Sequence, residues 1–155
     1  PSDPQTELLI EEMNLKCAVT FTGWVSYEES LKLIGEASAC ILIEAKMAQG
    51  IYFPSKLADY IVSEKPVLAV SPGIGTIADL SGEWNGIIRC NHEDDQAIED
   101  AIAKLYWAFK NGKLNNFNPP ADLIGRFQAK NVSALFQKLV RDNVEFRSEK
   151  GRSDT

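Results

Sequence analysis

Ala39-Cys40-Ile41-Leu42-Ile43 and Pro66-Val67-Leu68-Ala69-Val70 are the stretches that decide the fold. Each is a short, unbroken apolar run, the signature of a strand buried on both faces of a sheet. Between them lies a loop over residues 45–53, and Pro54 is well placed to begin a helix. Leu57 and Ile61 form the inner side of that helix, which must stop before Pro66, at the Glu64-Lys65 turn. Strand, helix and strand in this order make a crossover unit, and strands joined by a crossover run parallel.

The same alternation extends in both directions. Upstream, Asp3-Pro4 caps a helix that carries Leu9, Ile10 and Met13 and ends near Asn14. Residues 18–22 read as a strand stopped by Gly23, and Ser26 with Glu29 forms a capping box for a helix through Tyr27, Leu31 and Ile34. Downstream, the turn Ser71-Pro72-Gly73 leads to a short helix through Ile77 and Leu80, and Asn85-Gly86 is a turn signal. Residues 86–90 supply a fourth strand. Acidic residues at 93–95 suit a first helical turn, and Ile98, Ile102, Leu105 and Phe109 form the clearest amphipathic stripe, closed by Asn111-Gly112. After a linker at 115–120, residues 123–144 read as one or two helices, and 146–155 as a charged, disordered tail. The predicted class is α/β: residues 1–145 form a Rossmann-like, open, mostly parallel sheet with helices on both faces.

The 155 residues amount to one domain of ordinary size, 45% hydrophobic and 25% charged. A disordered chain and a disulfide-stapled miniprotein are both excluded by that balance. The net charge of −6 argues against nucleic acid as a partner, while leaving room for a local anion site. No apolar run approaches the roughly 20 residues of a membrane span. Residues 1–6 are polar and do not read as a signal peptide, and a start at Pro1 reads as an excised piece. Cys17, Cys40 and Cys90 lie in or beside strand-like runs, which suggests buried small hydrophobes in a reducing compartment. His92 has only Cys90 near it, so no metal site is expected.

In open parallel sheets ligands bind outside the carboxyl ends of the strands, which directs attention to the loops beginning at Gly23, Glu44, Ser71 and Asn91. The second loop carries Gly50-Ile51-Tyr52-Phe53-Pro54-Ser55-Lys56 into a helix start, where unpaired N–H groups and the dipole attract phosphate. Lys56 sits against the dipole's preference, which makes sense if it helps hold an anion. Asp59, one turn on, could accept hydrogen bonds from two ribose hydroxyls; the plainer alternative is a solvated Lys56–Asp59 pair. The third loop, Gly73-Ile74-Gly75-Thr76-Ile77-Ala78, satisfies a dinucleotide fingerprint with Glu93 18 residues beyond Gly75, but its helix is short. In the first loop Trp24 or Tyr27 could stack on a base or cap the core. No nucleophile constellation or apolar carboxylate pair is legible.

Taken in order, these segments resemble the C-terminal domain of GT-B fold glycosyltransferases, most like the family 4 (group 1) enzymes. Val19-Thr20-Phe21-Thr22-Gly23-Trp24-Val25 is similar to that family's V-x-F-x-G-x-V turn. Leu33 to Leu42 resembles its helix-to-strand passage. Phe53-Pro54-Ser55-Lys56-Leu57-Ala58-Asp59-Tyr60 with Lys65-Pro66-Val67-Leu68 resembles P-x-K-l-x-E-Y-x-x-x-x-K-P-V, and Asn85-Gly86-Ile87-Ile88 its later n-G-l-x-v. The likeness runs from about Glu7 to about Val144.

The resemblance implies the donor-binding half of a retaining glycosyltransferase of polysaccharide biosynthesis, taking a nucleoside diphosphate-sugar as substrate and needing no further cofactor. By position, Gly50, Phe53, Pro54, Ser55 and Lys56 correspond to the loop and helix start that hold the diphosphate. Asp59 corresponds to the glutamate on the ribose, and Gly23, Val25 and Tyr27 border the base. Two departures stand out. The family's first glutamate falls at Ile51, eight positions before Asp59, and Asp59 is itself the shorter acid. The family's opening strand, with its Gly-Arg and Lys, and its N-terminal domain for an acceptor glycan or lipid-linked sugar are expected before Pro1. The chain is therefore expected to be inactive alone. A cytoplasmic location is implied, with peripheral attachment of the whole enzyme to the inner membrane face as a further option. The alternatives are an NAD(P)-binding oxidoreductase domain built on residues 73–78 and a noncatalytic Rossmann-like interaction module.

Overall fold

The computed structural model describes residues 3–153, with side chains described to residue 142. The chain divides into two compact units, Pro1–Glu36 and Ala37–Thr155.

The first unit is helical. In α1 (Pro4–Glu12) the Asp3 carboxylate caps the Thr6 N–H at 3.3 Å, with proline at the start as expected. The helix closes as Asn14 takes a left-handed φ of 57°. α2 (Tyr27–Glu36) begins on the Ser26 hydroxyl, which accepts from the Glu29 N–H at 3.1 Å. The strand expected at 18–22 is not formed. Its first amides bond back to Leu15 in a turn (Ala18 N–H at 2.8 Å and Val19 N–H at 3.1 Å), and no ladder takes the segment among the described residues. β-branched composition favours a strand only when a neighbour supplies the pairing. Cys17, expected to be buried, is exposed in that turn region.

The second unit holds an open parallel sheet of three strands in the order β1-β2-β3. β1 is Cys40–Ile43, β2 is Val67–Val70 and β3 is Ile87–Cys90. Cys40 pairs with Val67 and Val67 with Ile87, so the three strands lie in step. α3 (Ser55–Val62) joins β1 to β2, and α4 (Thr76–Glu83) joins β2 to β3. α5 (Asp95–Lys110) follows β3, capped by the Asp94 carboxylate on the Ala97 N–H at 2.9 Å. A short 3-10 turn (Leu114–Phe117) occupies part of the expected linker, and α6 (Ala121–Phe127) and α7 (Ala129–Ser153) complete the unit. Seven helices and a small parallel sheet make an α/β architecture compatible with a Rossmann-like fold. The charged segment expected as a disordered tail continues α7 as far as Ser153, and residues 154–155 lie outside the described residues. Glu145, Arg147, Glu149 and Lys150 are all good helix formers, which suits that continuation.

Packing differs on the two faces. α3 lies against β1, where Cys40 and Leu42 are buried, and buries its own Leu57 and Ile61 completely. On the other face Leu68 and Cys90 pack with Ala101 and Leu105 of α5. That helix reaches β2 and β3, and Ile41 and Ile43 on the edge strand remain 60% and 70% exposed. The expectation that β1 is buried on both faces is therefore corrected, whereas β2, paired on both sides, is buried throughout. Along α5 the stripe is corrected in the same way. Ala101 and Leu105 carry the contact, and Ile102 and Phe109 overhang it in solvent.

Trp84 closes the far end of the unit, buried, with its Nε1–H donating to the Phe117 carbonyl at 2.8 Å. Gly86 is needed there for room. A Cβ at that position would stand 2.0 Å from the Phe117 oxygen and 2.2 Å from Trp84 Nε1. Leu57→Ala should lower the unfolding free energy by about 3 kcal/mol, since it leaves a cavity under α3. Ile41→Ala on the open face should cost less than about 1 kcal/mol. Urea denaturation of the two variants, compared with the parent chain, measures the difference.

Candidate functional site

The loops that leave the carboxyl ends of β1 and β2 are joined by backbone. The Gly50 N–H donates to the Ile74 carbonyl at 2.8 Å, and the Thr76 N–H donates to the Gly50 carbonyl at 3.1 Å, an isolated parallel bridge of Gly50 with Gly75. Position 75 has no space for a side chain. A Cβ on Gly75, whose φ is 131°, would stand 2.2 Å from the Gly50 oxygen. One on Gly50 would meet the Glu44 carboxylate at 2.9 Å. Glycine is therefore required at 75 by both φ and contact.

That bridge decides how the two loop motifs are read. In a dinucleotide fingerprint the middle glycine lets a pyrophosphate approach the backbone. Here Gly50 occupies the approach to Gly75, and the Thr76 amide at the start of α4 is already committed to a protein carbonyl. Gly75 of that motif thus has a packing cause.

The β1 loop delivers a different helix start. Pro54 is the N-cap residue of α3 and has no side-chain hydrogen bond to offer. Lys56 is exposed in the first turn, and Asp59 is half-buried one turn later. Residues 56 and 59, three apart, share one side of the helix. Phe53 anchors the approach by stacking on Phe127 of α6, with ring centroids 5.1 Å apart and planes at 12°. Of the residues singled out from sequence, Pro54, Ser55, Lys56 and Asp59 come together on the start of α3. Gly50 is buried against the neighbouring loop and Phe53 has a packing role. Gly23 (φ 68°), Val25 and Tyr27 belong to the first unit, all exposed.

Sequence reasoning pointed to the loops after Glu44, Ser71 and Asn91 but missed the groups that knit them together. The His92 Nε2 lies 2.8 Å from the Glu44 carbonyl. A carbonyl only accepts, so Nε2 carries the hydrogen, and Nδ1 is left to accept in the neutral ring. Lys46 pairs with Glu93 across the same gap, and its charge and hydrogen bond hold the Glu93 carboxyl below its ordinary pKa. Arg89 donates to the Ser71 carbonyl at 3.2 Å and to Asn91 Oδ1 at 2.7 Å. Around these side chains lies a cleft of about 360 Å³, bordered by Lys46, Gly73, Asn91 and His92. Its size falls in the range of small-molecule sites. The available signal was positional, since each of these residues lies within three residues of the carboxyl end of a strand.

Comparison of the chain with family models, with curated proteins and with solved structures finds no match.

Gly75→Ala should lower stability by about 3 kcal/mol or more, because it opposes both the φ and the Gly50 carbonyl. Thermal or urea unfolding measures this. A pH effect follows from Cys40, whose thiol burial pushes up from 9.0 to about 11, against a smaller opposing pull from Lys65. Above the unfolded thiol's pKa the unfolded chain sheds a proton that the folded chain retains. The contribution is therefore fully present below pH 9.0 and is lost as pH rises toward about 11. Unfolding measured across that window should show a downward slope that Cys40→Ala reduces.

Proposed function

We propose that the chain is the donor-binding half of a retaining glycosyltransferase, holding a nucleoside diphosphate-sugar outside the carboxyl end of the parallel sheet. The observation that carries this reading is the start of α3, which follows β1, has no side-chain cap and presents Lys56 in its first turn. Amide N–H groups at Ser55 and Lys56, with the positive end of the helix dipole, suit the oxygens of a diphosphate. The Lys56 ammonium adds a point charge. Asp59 is a short acceptor at the distance of one turn, suited to ribose hydroxyls. The motif likeness running through residues 53–68 supports the same assignment of roles.

In this reading the chemistry of the chain is electrostatic. When the sugar leaves, negative charge grows on the diphosphate, and preoriented N–H groups and a cation stabilise it more strongly than they stabilise the intact donor. The acceptor, a glycan or lipid-linked sugar, would be held by a separate N-terminal domain. With Ile51 where the family carries its first glutamate, a carboxylate contact to the donor sugar is lost, which bears on which sugar is accepted.

Titration of the chain with UDP, GDP, ADP and NAD, followed by backbone amide shifts, tests the proposal. A nucleoside diphosphate should perturb residues 50–59, and Lys56→Ala should weaken that binding about tenfold, the loss of one charge-assisted contact. Shifts from NAD alone, confined to residues 73–78, would transfer the chain to the oxidoreductase class.

A further inference from the structure

α7 is unlike every other helix of the chain. It is 25 residues long, roughly 37 Å at the α-helical rise, and its beginning is tied to the body through the Asn131 amide on the Gly125 carbonyl at 2.8 Å. Val132, Leu135, Phe136, Leu139 and Val140 recur at spacings of three and four and make one apolar face over three turns, each residue 48–67% exposed. Lys130, Lys138 and Arg141 lie on the opposite, polar side.

Charge is sorted in the same way. Residues 129–153 carry six Lys/Arg against three Asp/Glu, whereas residues 1–128 carry ten against eighteen. A chain of net charge −6 thus places a net +3 on its one long amphipathic helix and −8 on everything before it. An apolar face backed by cations, with low overall hydrophobicity, is the pattern of a helix that lies in a membrane interface. No helix among the described residues is long and apolar enough to cross a membrane, so this is a surface mode. The acidic remainder would be repelled by an anionic leaflet, which confines contact to α7 and sets the orientation of the chain.

We propose that α7 docks on an anionic lipid surface, with Leu135, Phe136 and Leu139 entering the acyl boundary and Lys130, Lys138 and Arg141 supplying the attraction to lipid headgroups. A second copy of the chain is the less suitable occupant. Pairing α7 with its copy would bring together two helices that each carry a net +3, whereas an anionic surface meets that charge with the opposite sign. The proposal stands apart from the donor-binding reading, because none of its residues lies on α3.

The test is co-sedimentation of the full chain with vesicles of phosphatidylcholine mixed with phosphatidylglycerol, and with vesicles of phosphatidylcholine alone. Binding to the mixed vesicles, much weaker binding to the neutral ones, and release by high salt are expected. Phe136→Asp, on an exposed side chain, should abolish binding while circular dichroism stays unchanged. Replacing Lys130, Lys138 and Arg141 with Glu together should lower partitioning at least a hundredfold, from about fivefold for each cation near the surface. No binding to the mixed vesicles overturns the proposal, as does binding that Phe136→Asp leaves intact. Self-association in lipid-free solution that Phe136→Asp removes would reassign the face to a second copy. Nucleotide titration of the Phe136→Asp chain keeps the two readings distinguishable, since donor binding should be unaffected.

Discussion

Where the chain leaves β1 and β2, two glycine backbones, at Gly50 and Gly75, meet with no side chain between them, and much of the second unit depends on that contact. It prolongs parallel pairing beyond the strand ends, through the 2.8 Å and 3.1 Å bonds to Ile74 and Thr76. The first of these loops leads into α3 and the second into α4, so the bridge joins the approaches to both helices. The bridge is also intolerant. A methyl group on Gly75 would fall 2.2 Å from an oxygen, well inside any packing distance, and a φ of 131° disfavours any side chain there. The loops are tied a second time from β3, through the His92 ring on the Glu44 carbonyl and the pairing of Lys46 with Glu93.

This knitting bears on the choice between functional readings. Phosphate recognition by backbone needs N–H groups that no protein acceptor has taken. Neither α3 nor α4 has a side-chain cap, but the start of α4 has given its Thr76 amide to Gly50, whereas α3 carries a lysine in its first turn. The two helix starts thus differ by one committed amide and one lysine.

Much of the architecture could be read from local chemistry. Asp3 and Ser26 cap the helices expected of them, Pro54 and Pro66 bracket α3, and the runs at 66–70 and 86–90 form strands. These signals are local because capping and proline geometry act within a few residues. The failures share one cause. Residues 18–22 have the composition of a strand and no ladder, and Ile41 and Ile43 have the composition of a doubly covered strand and one open face. Pairing and coverage are properties of neighbours, which composition does not report. The candidate site was legible in the same proportion. The start of α3 was visible as a motif, whereas Glu44, Lys46, Arg89 and His92 became a group only when three loops converged.

The sequence by itself determined the α/β class, the parallel sense of the central strands and the amphipathic character of the helices, because periodicity and turn chemistry are written residue by residue. It also determined the sorting of charge, acidic through residue 128 and basic on α7. The three-dimensional arrangement, by contrast, made Gly75 a packing glycine, committed the Thr76 amide to the Gly50 carbonyl and left some apolar faces uncovered. Those outcomes depend on distances between segments far apart in the chain, such as Gly50 to Gly75 or Glu44 to His92, and closure of such contacts is a global event that no local pattern encodes.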